Sequence, residues 1–447
     1  MKANVPSRVA VAFANIRRAS MKCRTLLLVT ALAACASGPV LEAQKTFRTV
    51  TLEQAVNEAV QNNLELLAER AELSIAEAGM VTARLRPNPV LSGGANSLDW
   101  LGTGFNDSNN AGPPEYSVRV DMPFERGHKR ELRIDFADRT RRSAEAQFAD
   151  AVRKLKLEVL LASIDVLEAK SKLTLAKDNL QTLEKLVQLN QQRLSSGAIP
   201  PLELTRSRVA MLQYRGNVKS AELALAEARL KLLPLLGKRP GEDAVDVEDR
   251  LGVPPMTDAA DLAALQTVAR ATRPDLEAKR TDVAKSLADL RLQLAEGKVD
   301  YTYGVEYRRQ QGTAGKGNML GLFFSVPLPV FNRNQGDIAR ATGEQEKATR
   351  ALAALETQVA GEVASAYEEF ESSRQLLIEI ERDLLKPTSD ARDGTTYVYQ
   401  AGATSLLEVL DAQRAFNDTM DTYYSAQATY RRAQIKLALA IGKDVVP

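Results

Sequence analysis

The chain has 447 residues, 45% of them hydrophobic but only 5% aromatic, so it lacks the bulky side chains that fill compact globular cores; Ala, Leu, Glu, Lys, Arg and Gln dominate. That mixture suits long helices packed along narrow apolar seams. Charged residues make up 26% of the chain yet balance to a net +2, which gives no global case for nucleic acid or another polyanion as a partner.

The first element in chain order is a targeting segment over 1–34. Met21-Lys22-Cys23-Arg24 supplies a basic start and Thr25 to Ala34 a short apolar run. Such a run is too short to span a bilayer. Leu32-Ala33-Ala34-Cys35 ends it in the form of a lipobox, which makes Cys35 the expected lipidation site. The competing reading is ordinary cleavage after Ala43, and Met21 is an alternative start of translation. Both cysteines, Cys23 in this segment and Cys35 directly after it, precede the body of the chain, so neither a disulfide framework nor a cysteine metal site is expected downstream.

A helix is predicted over about 51–86, then strands over about 89–101 and 114–124. In the second strand Tyr116, Val118, Val120 and Met122 alternate with Ser117, Arg119 and Asp121, the two-residue period of a sheet with unlike faces. A helix over 128–196 follows, free of Gly and Pro from 129 to 195, long enough to run on the order of 100 Å. Its apolar positions, among them Leu155, Val159, Val166, Leu173, Leu183 and Val187, recur in steps of three and four, with Asn190 the one polar member of the seam. Gly197 marks a turn into a helix over 201–237.

The second half repeats this order, with a helix over 258–297, strands over 299–310 and 318–330, and helices over 335–398 and 405–441. Pro387 and Gly394 predict a bend within the first of these last two helices. Polar, Gly-rich stretches at Gly102 to Pro114 and Gln311 to Gly317 read as exposed turns. Residues 205 positions apart match without a gap: Gly197 with Gly402, Ala198 with Ala403, Ala210 with Ala415, Leu232 with Leu437, and Gly237-Lys238 with Gly442-Lys443. A fixed offset held over about forty residues means a duplicated structural unit, here 46–240 and 258–443.

The expected fold is therefore mainly α with a membrane β-barrel portion. Two long antiparallel coiled-coil hairpins accompany four strands, and four strands cannot close a barrel unless several copies share it. The residues now assembled resemble the TolC-type outer membrane factor family: Thr51-Leu52-Glu53-Gln54-Ala55-Val56, Asn62-Asn63-Leu64-Glu65-Leu66 and Leu85-Arg86-Pro87-Asn88-Pro89. Within it, Arg126-Gly127-His128-Lys129-Arg130 and Pro327-Leu328-Pro329-Val330-Phe331-Asn332-Arg333-Asn334 look most like the outer-membrane component of cobalt-zinc-cadmium resistance pumps. The resemblance covers nearly the whole mature chain. It implies a homotrimer with a shared twelve-stranded barrel, an α-helical periplasmic tunnel, contact with outer-membrane lipid, a periplasmic membrane-fusion adaptor, and an inner-membrane resistance-nodulation-division pump.

His128 is the only histidine, so no His pair or His/Cys cluster can build a transition-metal site; with no histidine near a Ser or Cys and no Gly-rich phosphate loop after a strand, no cofactor and no enzyme activity are expected. The resemblance points instead to the hairpin tips. Gly197, Ala198, Gly402 and Ala403 would turn the chain and face the adaptor; Glu408 and Asp411, three apart on one helix face, match acidic positions that ring the periplasmic entrance. Tyr399 and Glu203 match positions that hydrogen-bond to hold neighbouring hairpins closed, and Thr404 stands where a basic locking residue is often found. Against this, Glu408 and Asp411 also suit the first turn of any solvated helix. The function so indicated is a passive exit duct for small toxic solutes, in particular divalent heavy-metal cations. A drug or protein export duct of the same family, or a non-transport coiled-coil envelope lipoprotein, are the alternatives.

Overall fold

The computed structural model describes residues 47–98, 100, 102, 114–241, 244–252, 261–312 and 315–443. The targeting segment with Cys35, and most of the expected turn over Gly102 to Pro114, lie outside them. The other expected turn, Gln311 to Gly317, is largely strand, because the two strands of that hairpin pair up to Gly312 and Gly315.

Strand β1 (Phe47–Val50) enters helix α1 (Leu52–Asn62) through a reciprocal cap: Thr51 Oγ1 accepts from the Gln54 amide at 3.2 Å and Gln54 Oε1 accepts from the Thr51 amide at 3.1 Å. The helix expected over 51–86 is in fact two, α1 and α2 (Leu64–Arg84). Asn63 is extended (φ −63, ψ 124); its Oδ1 accepts from the Leu66 amide at 2.9 Å, capping α2, while its Nδ2 donates to the Leu235 carbonyl at 3.1 Å.

Strands β2 (Val90–Asn96) and β3 (Glu115–Phe124) lead to α3 (Lys129–Ser195), a 67-residue helix, and α4 (Pro201–Leu235). Strand β2 is shorter than expected because Ser97 turns left-handed, at φ 57. Every seam position named above is buried or half-buried, but Leu160, Ile164 and Leu167 are buried as well. Helix α3 is therefore covered on more than one side, packing along α4 and α2 and against the second half; each of these three side chains contributes on the order of 2 kcal/mol. Strand β4 (Ala244–Val247) pairs in parallel with β1, Phe47 opposite Ala244, a small sheet the sequence pattern did not reveal.

The second half follows suit with α5 (Leu262–Thr272), α6 (Pro274–Glu296), β5 (Tyr301–Gly312), β6 (Gly315–Ser325), α7 (Gln335–Glu379), α8 (Leu385–Gln400) and α9 (Leu406–Ala440). The helix expected over 258–297 is again two: Pro274 excludes Arg273 from the α region, leaving it extended at ψ 124. The strand expected over 318–330 starts and ends earlier, ahead of Pro327 and Pro329. A π-helical turn over Ile380–Leu384 joins α7 to α8. It lies just ahead of Pro387, whose missing N–H and bulky ring disturb the preceding turn, and the helix then continues through Gly394.

The two helix breaks serve the same purpose. Gly237 (φ 72) ends α4 and sits against Asn62; Gly442 (φ 72) ends α9 and sits against Thr272 and Arg273. In the first half Asn63 Nδ2 donates to the Leu235 carbonyl; in the second, Arg273 Nη1 donates to the Ala440 carbonyl at 3.2 Å and Thr272 Oγ1 to the Ile441 carbonyl at 2.6 Å. Each half is thus closed by its returning helix docking on its own break.

Strands β2, β3, β5 and β6 form one antiparallel sheet in that order. The register lines up Leu91, Val120, Val305 and Leu322 across it, with Met122, Tyr303 and Phe324 in the next apolar row. These side chains are all exposed. The opposite face carries Arg119 and Asp121, paired at 2.7 Å, and Arg308 and Glu306, paired at 2.8 Å. Strands β2 and β6 each present one edge with no partner among the described residues. The sheet is tied to the helices by Lys129, which is buried and reaches Asp300 at 2.8 Å and Glu296 at 3.3 Å.

Candidate functional site

The tips of the two hairpins are built alike. Left-handed Gly197 (φ 74) lets the Ala198 amide reach the Arg193 carbonyl at 2.8 Å, and left-handed Gly402 (φ 80) lets the Ala403 amide reach the Val398 carbonyl at 3.0 Å. This double closure satisfies carbonyls that a helix end leaves bare. All four residues, Gly197, Ala198, Gly402 and Ala403, are exposed. After the second tip the Ser405 Oγ caps α9 at the Glu408 amide, 3.4 Å away.

Just behind the tips Leu183, Leu186, Tyr399, Leu406 and Val409 form a small core of their own. Tyr399, only 2% exposed, donates its hydroxyl to Asn190 Oδ1 at 2.7 Å, and the Arg193 guanidinium lies 5.0 Å from the centre of its ring. Arg193 Nη2 in turn donates to the Gln400 carbonyl at 2.7 Å. Burial pushes the Tyr399 phenol above its ordinary pKa, and the charge of Glu203 pushes the same way, so the hydroxyl keeps its proton and acts as a donor. Tyr399 lies in the last turn of α8, packed against α3, so within one chain the phenol meets Asn190. Asn190 Nδ2 is buried and has no acceptor among the described residues.

Further along, a second polar rung crosses the hairpins. Gln413 Nε2 donates to Asn179 Oδ1 at 3.0 Å and to Asn417 Oδ1 at 3.3 Å, and Asn417 Nδ2 donates to the Tyr214 hydroxyl at 2.5 Å. A polar residue at a buried seam position is visible in a sequence, as Asn190 was; Gln413 and Asn417 were missed because their partners lie more than two hundred residues away.

Glu408 and Asp411 are both exposed. Glu408 accepts from the Thr404 hydroxyl, and Asp411 pairs with Arg414 at 3.5 Å. His128 is an exposed, left-handed residue at the β3–α3 joint (φ 60), as Asn334 is at the β6–α7 joint (φ 62); its role is to turn the chain. A groove of about 610 Å³ runs between α4 and α9 beside the tips, bordered by Arg206, Val209, Tyr214 and Arg414. Among the described residues no group of three His, Cys, Asp or Glu converges on a metal-sized site, and no helix is long and apolar enough to cross a membrane.

The family model described as outer membrane efflux protein matches residues 55–238 and 265–443. The chain is 27% identical over 365 residues to the cobalt-zinc-cadmium resistance protein CzcC of Cupriavidus metallidurans, covering 82% of this chain and 83% of that protein. It is 25% identical over 431 residues to the pyoverdine export outer membrane protein OpmQ of Pseudomonas putida, covering 89% and 87%. The cation efflux system protein CusC of Escherichia coli is 23% identical over 412 residues, covering 87% and 85%. A CusC crystal structure superposes with a TM-score of 0.69 at 18% identity, over 89% of this chain and 93% of that one. Sheet, hairpins and tips together thus have the architecture of an outer-membrane channel with a helical tunnel, and the chain belongs to the outer membrane efflux protein family.

Proposed function

We propose that three copies of this chain close their four-stranded sheets into one twelve-stranded outer-membrane barrel and form a passive exit duct for divalent heavy-metal cations. The observation that carries the proposal is the sheet itself: one face is apolar and exposed over consecutive rows, and both edges lack partners among the described residues. Hydrocarbon tolerates neither unpaired backbone nor an open edge, so neighbouring copies must supply the missing pairs. Detergent-extracted protein is expected to sediment as a trimer that resists heating; a stable monomer retaining its full strand content would contradict the shared barrel. A lipid on Cys35 would add to this anchorage. Metabolic palmitate label that vanishes in Cys35→Ala supports it, and an unlabelled parent chain removes it.

CzcC and CusC support the cation reading, while OpmQ supports the runner-up, a duct for other small molecules. The duct itself needs no metal ligands, because the driving pump selects what enters. A periplasmic adaptor would seat on the exposed tips around Gly197, Ala198, Gly402 and Ala403 and in the groove beside them, linking the duct to an inner-membrane pump of the resistance-nodulation-division class. Expressed with the adaptor and pump of a metal-resistance system in a zinc-sensitive host, the protein is expected to restore zinc tolerance. Tolerance restored only by drug or siderophore pumps would move the substrate to the runner-up.

At the tips, Glu408 and Asp411 of three copies would place six carboxylates around one entrance, concentrating cations there. Tyr399, held by Asn190 and with Glu203 near its hydroxyl, would keep that entrance narrow. In planar bilayers, Glu408→Gln with Asp411→Asn is expected to weaken cation selectivity and block by multivalent cations, and Tyr399→Phe to raise conductance. Channels indistinguishable from the parent in both variants would refute the gate assignment.

A further inference from the structure

A second cavity, of about 650 Å³, lies far from the tips, where the sheet meets the helices. Met122, Phe124 and Tyr303 form one wall of it, and these are exposed members of the apolar face described above. Arg86, His128 and Arg130 line it as well. Of the two acids that line the cavity, Glu125 is committed, accepting from Arg133 Nη2 at 2.9 Å, while Glu131 is exposed and turned toward His128 at 4.0 Å. Lys129, which also borders the cavity, is held by Asp300 and Glu296. Arg86 is exposed and has no ion-pair partner among the described residues, and Arg130 spends one nitrogen on the Arg84 carbonyl at 2.8 Å.

We infer that this cavity holds the phosphate of an anionic glycerophospholipid from the membrane's inner leaflet, its acyl chains lying along Met122, Phe124 and Tyr303. The inference rests on the reading of the apolar face as lipid-facing. An apolar wall that continues into a membrane-facing surface, set against two guanidinium groups with free donors, matches an amphiphile with a negative head. Arginine suits this better than lysine because its planar fork binds phosphate oxygens in pairs. Lateral closure at the edges of β2 and β6 would leave this outward face uncovered.

The test uses the full-length protein purified in a mild detergent, with native mass spectrometry to count retained lipids after titration with phosphatidylglycerol or phosphatidylcholine. The parent is expected to retain phosphatidylglycerol over phosphatidylcholine by about tenfold, and Arg86→Gln with Arg130→Gln to lose most of that preference. Arg309→Gln, at the far end of the same sheet, serves as the control that keeps it. Because Arg130 also holds the Arg84 carbonyl, Arg86→Gln alone is run beside the double variant, and it is expected to lose a substantial part of the preference with an unchanged circular dichroism spectrum. Equal retention of both lipids, or an unaltered preference in Arg86→Gln, overturns the inference. Millimolar inorganic phosphate that displaces the lipid overturns the lipid assignment in favour of a free anion. A parent that sediments as a trimer yet shows no preference refutes this site while leaving the barrel intact.

Discussion

Gly237→Ala is expected to cost several times more stability than Gly197→Ala, although both glycines have nearly the same left-handed backbone, with φ of 72 and 74. The dihedral penalty alone is about 1–2 kcal/mol per residue and is common to both. Surroundings separate them. A Cβ on Gly197 meets nothing within 4 Å, whereas one on Gly237 would lie 2.1 Å from the Asn62 carbonyl oxygen and 2.7 Å from its carbon. Those are backbone atoms at the α1–α2 break, so relief requires moving the whole joint. Gly442 is intermediate, since its nearest neighbour is the Thr272 hydroxyl at 2.8 Å, followed by backbone at 3.1 Å. The expected order of loss is therefore Gly237→Ala, Gly442→Ala, then the tip variants. Thermal loss of helical circular dichroism in detergent measures it, and equal effects at Gly197 and Gly237 would mean that docking on the break is not what holds each half closed.

The second large effect is expected at Arg273. This residue is 3% exposed, pairs with Asp275 at 2.5 Å and Glu362 at 2.7 Å, and donates to the Ala440 carbonyl at the end of α9. Arg273→Met would keep much of the volume but strand a carboxylate and a carbonyl, at a cost of about 3 kcal/mol, the low end for a broken buried pair, because Glu362 can turn to water. Arg273→Lys restores a charge but not the fork, and should recover only part. The pH dependence has a definite sign. Burial alone would raise the Asp275 pKa, but the Arg273 guanidinium, with Arg153 behind it, holds the carboxyl below its ordinary value. Its contribution is therefore present above the unfolded value, about 4, and is lost as the pH falls through the lower folded one. The gap between parent and Arg273→Met should accordingly narrow on acidification below about pH 4; a gap that widens there would refute the ion-pair account.

The duplicated plan was legible because it rests on local chemistry: a left-handed glycine closes each arm of the two hairpins, and the same glycines recur at one offset. The alternation of β3 was legible for the same reason, since side chains on a strand change face at every residue. The break before Pro274 had a local signal that a reading by apolar period alone passed over, and Asn63 is a good cap whose use depended on the Leu235 carbonyl arriving from far along the chain. The β1–β4 pair was not legible, because four-residue strands almost two hundred residues apart carry no periodicity to detect. At the tip, Asn190 stood out as a polar residue in an apolar seam, but nothing local assigned Tyr399 to it. Pairings of that kind are decided by which helices meet.

The left-handed glycines also set a length. Each returning arm spans forty residues between its two, from 197 to 237 and from 402 to 442, and each is moored at its base to a helix break. The arms act as two matched rulers, each laying off about 60 Å from mooring to tip. Adding one residue to a single arm would advance its tip by about 1.5 Å and swing it through about 100°, while leaving the other tip in place. A rim assembled from such chains would be serrated, and a partner that seats on both tips at once would register the mismatch as a lost contact. Insertions and deletions in this protein are therefore tolerable in pairs, one in each half, far more readily than singly.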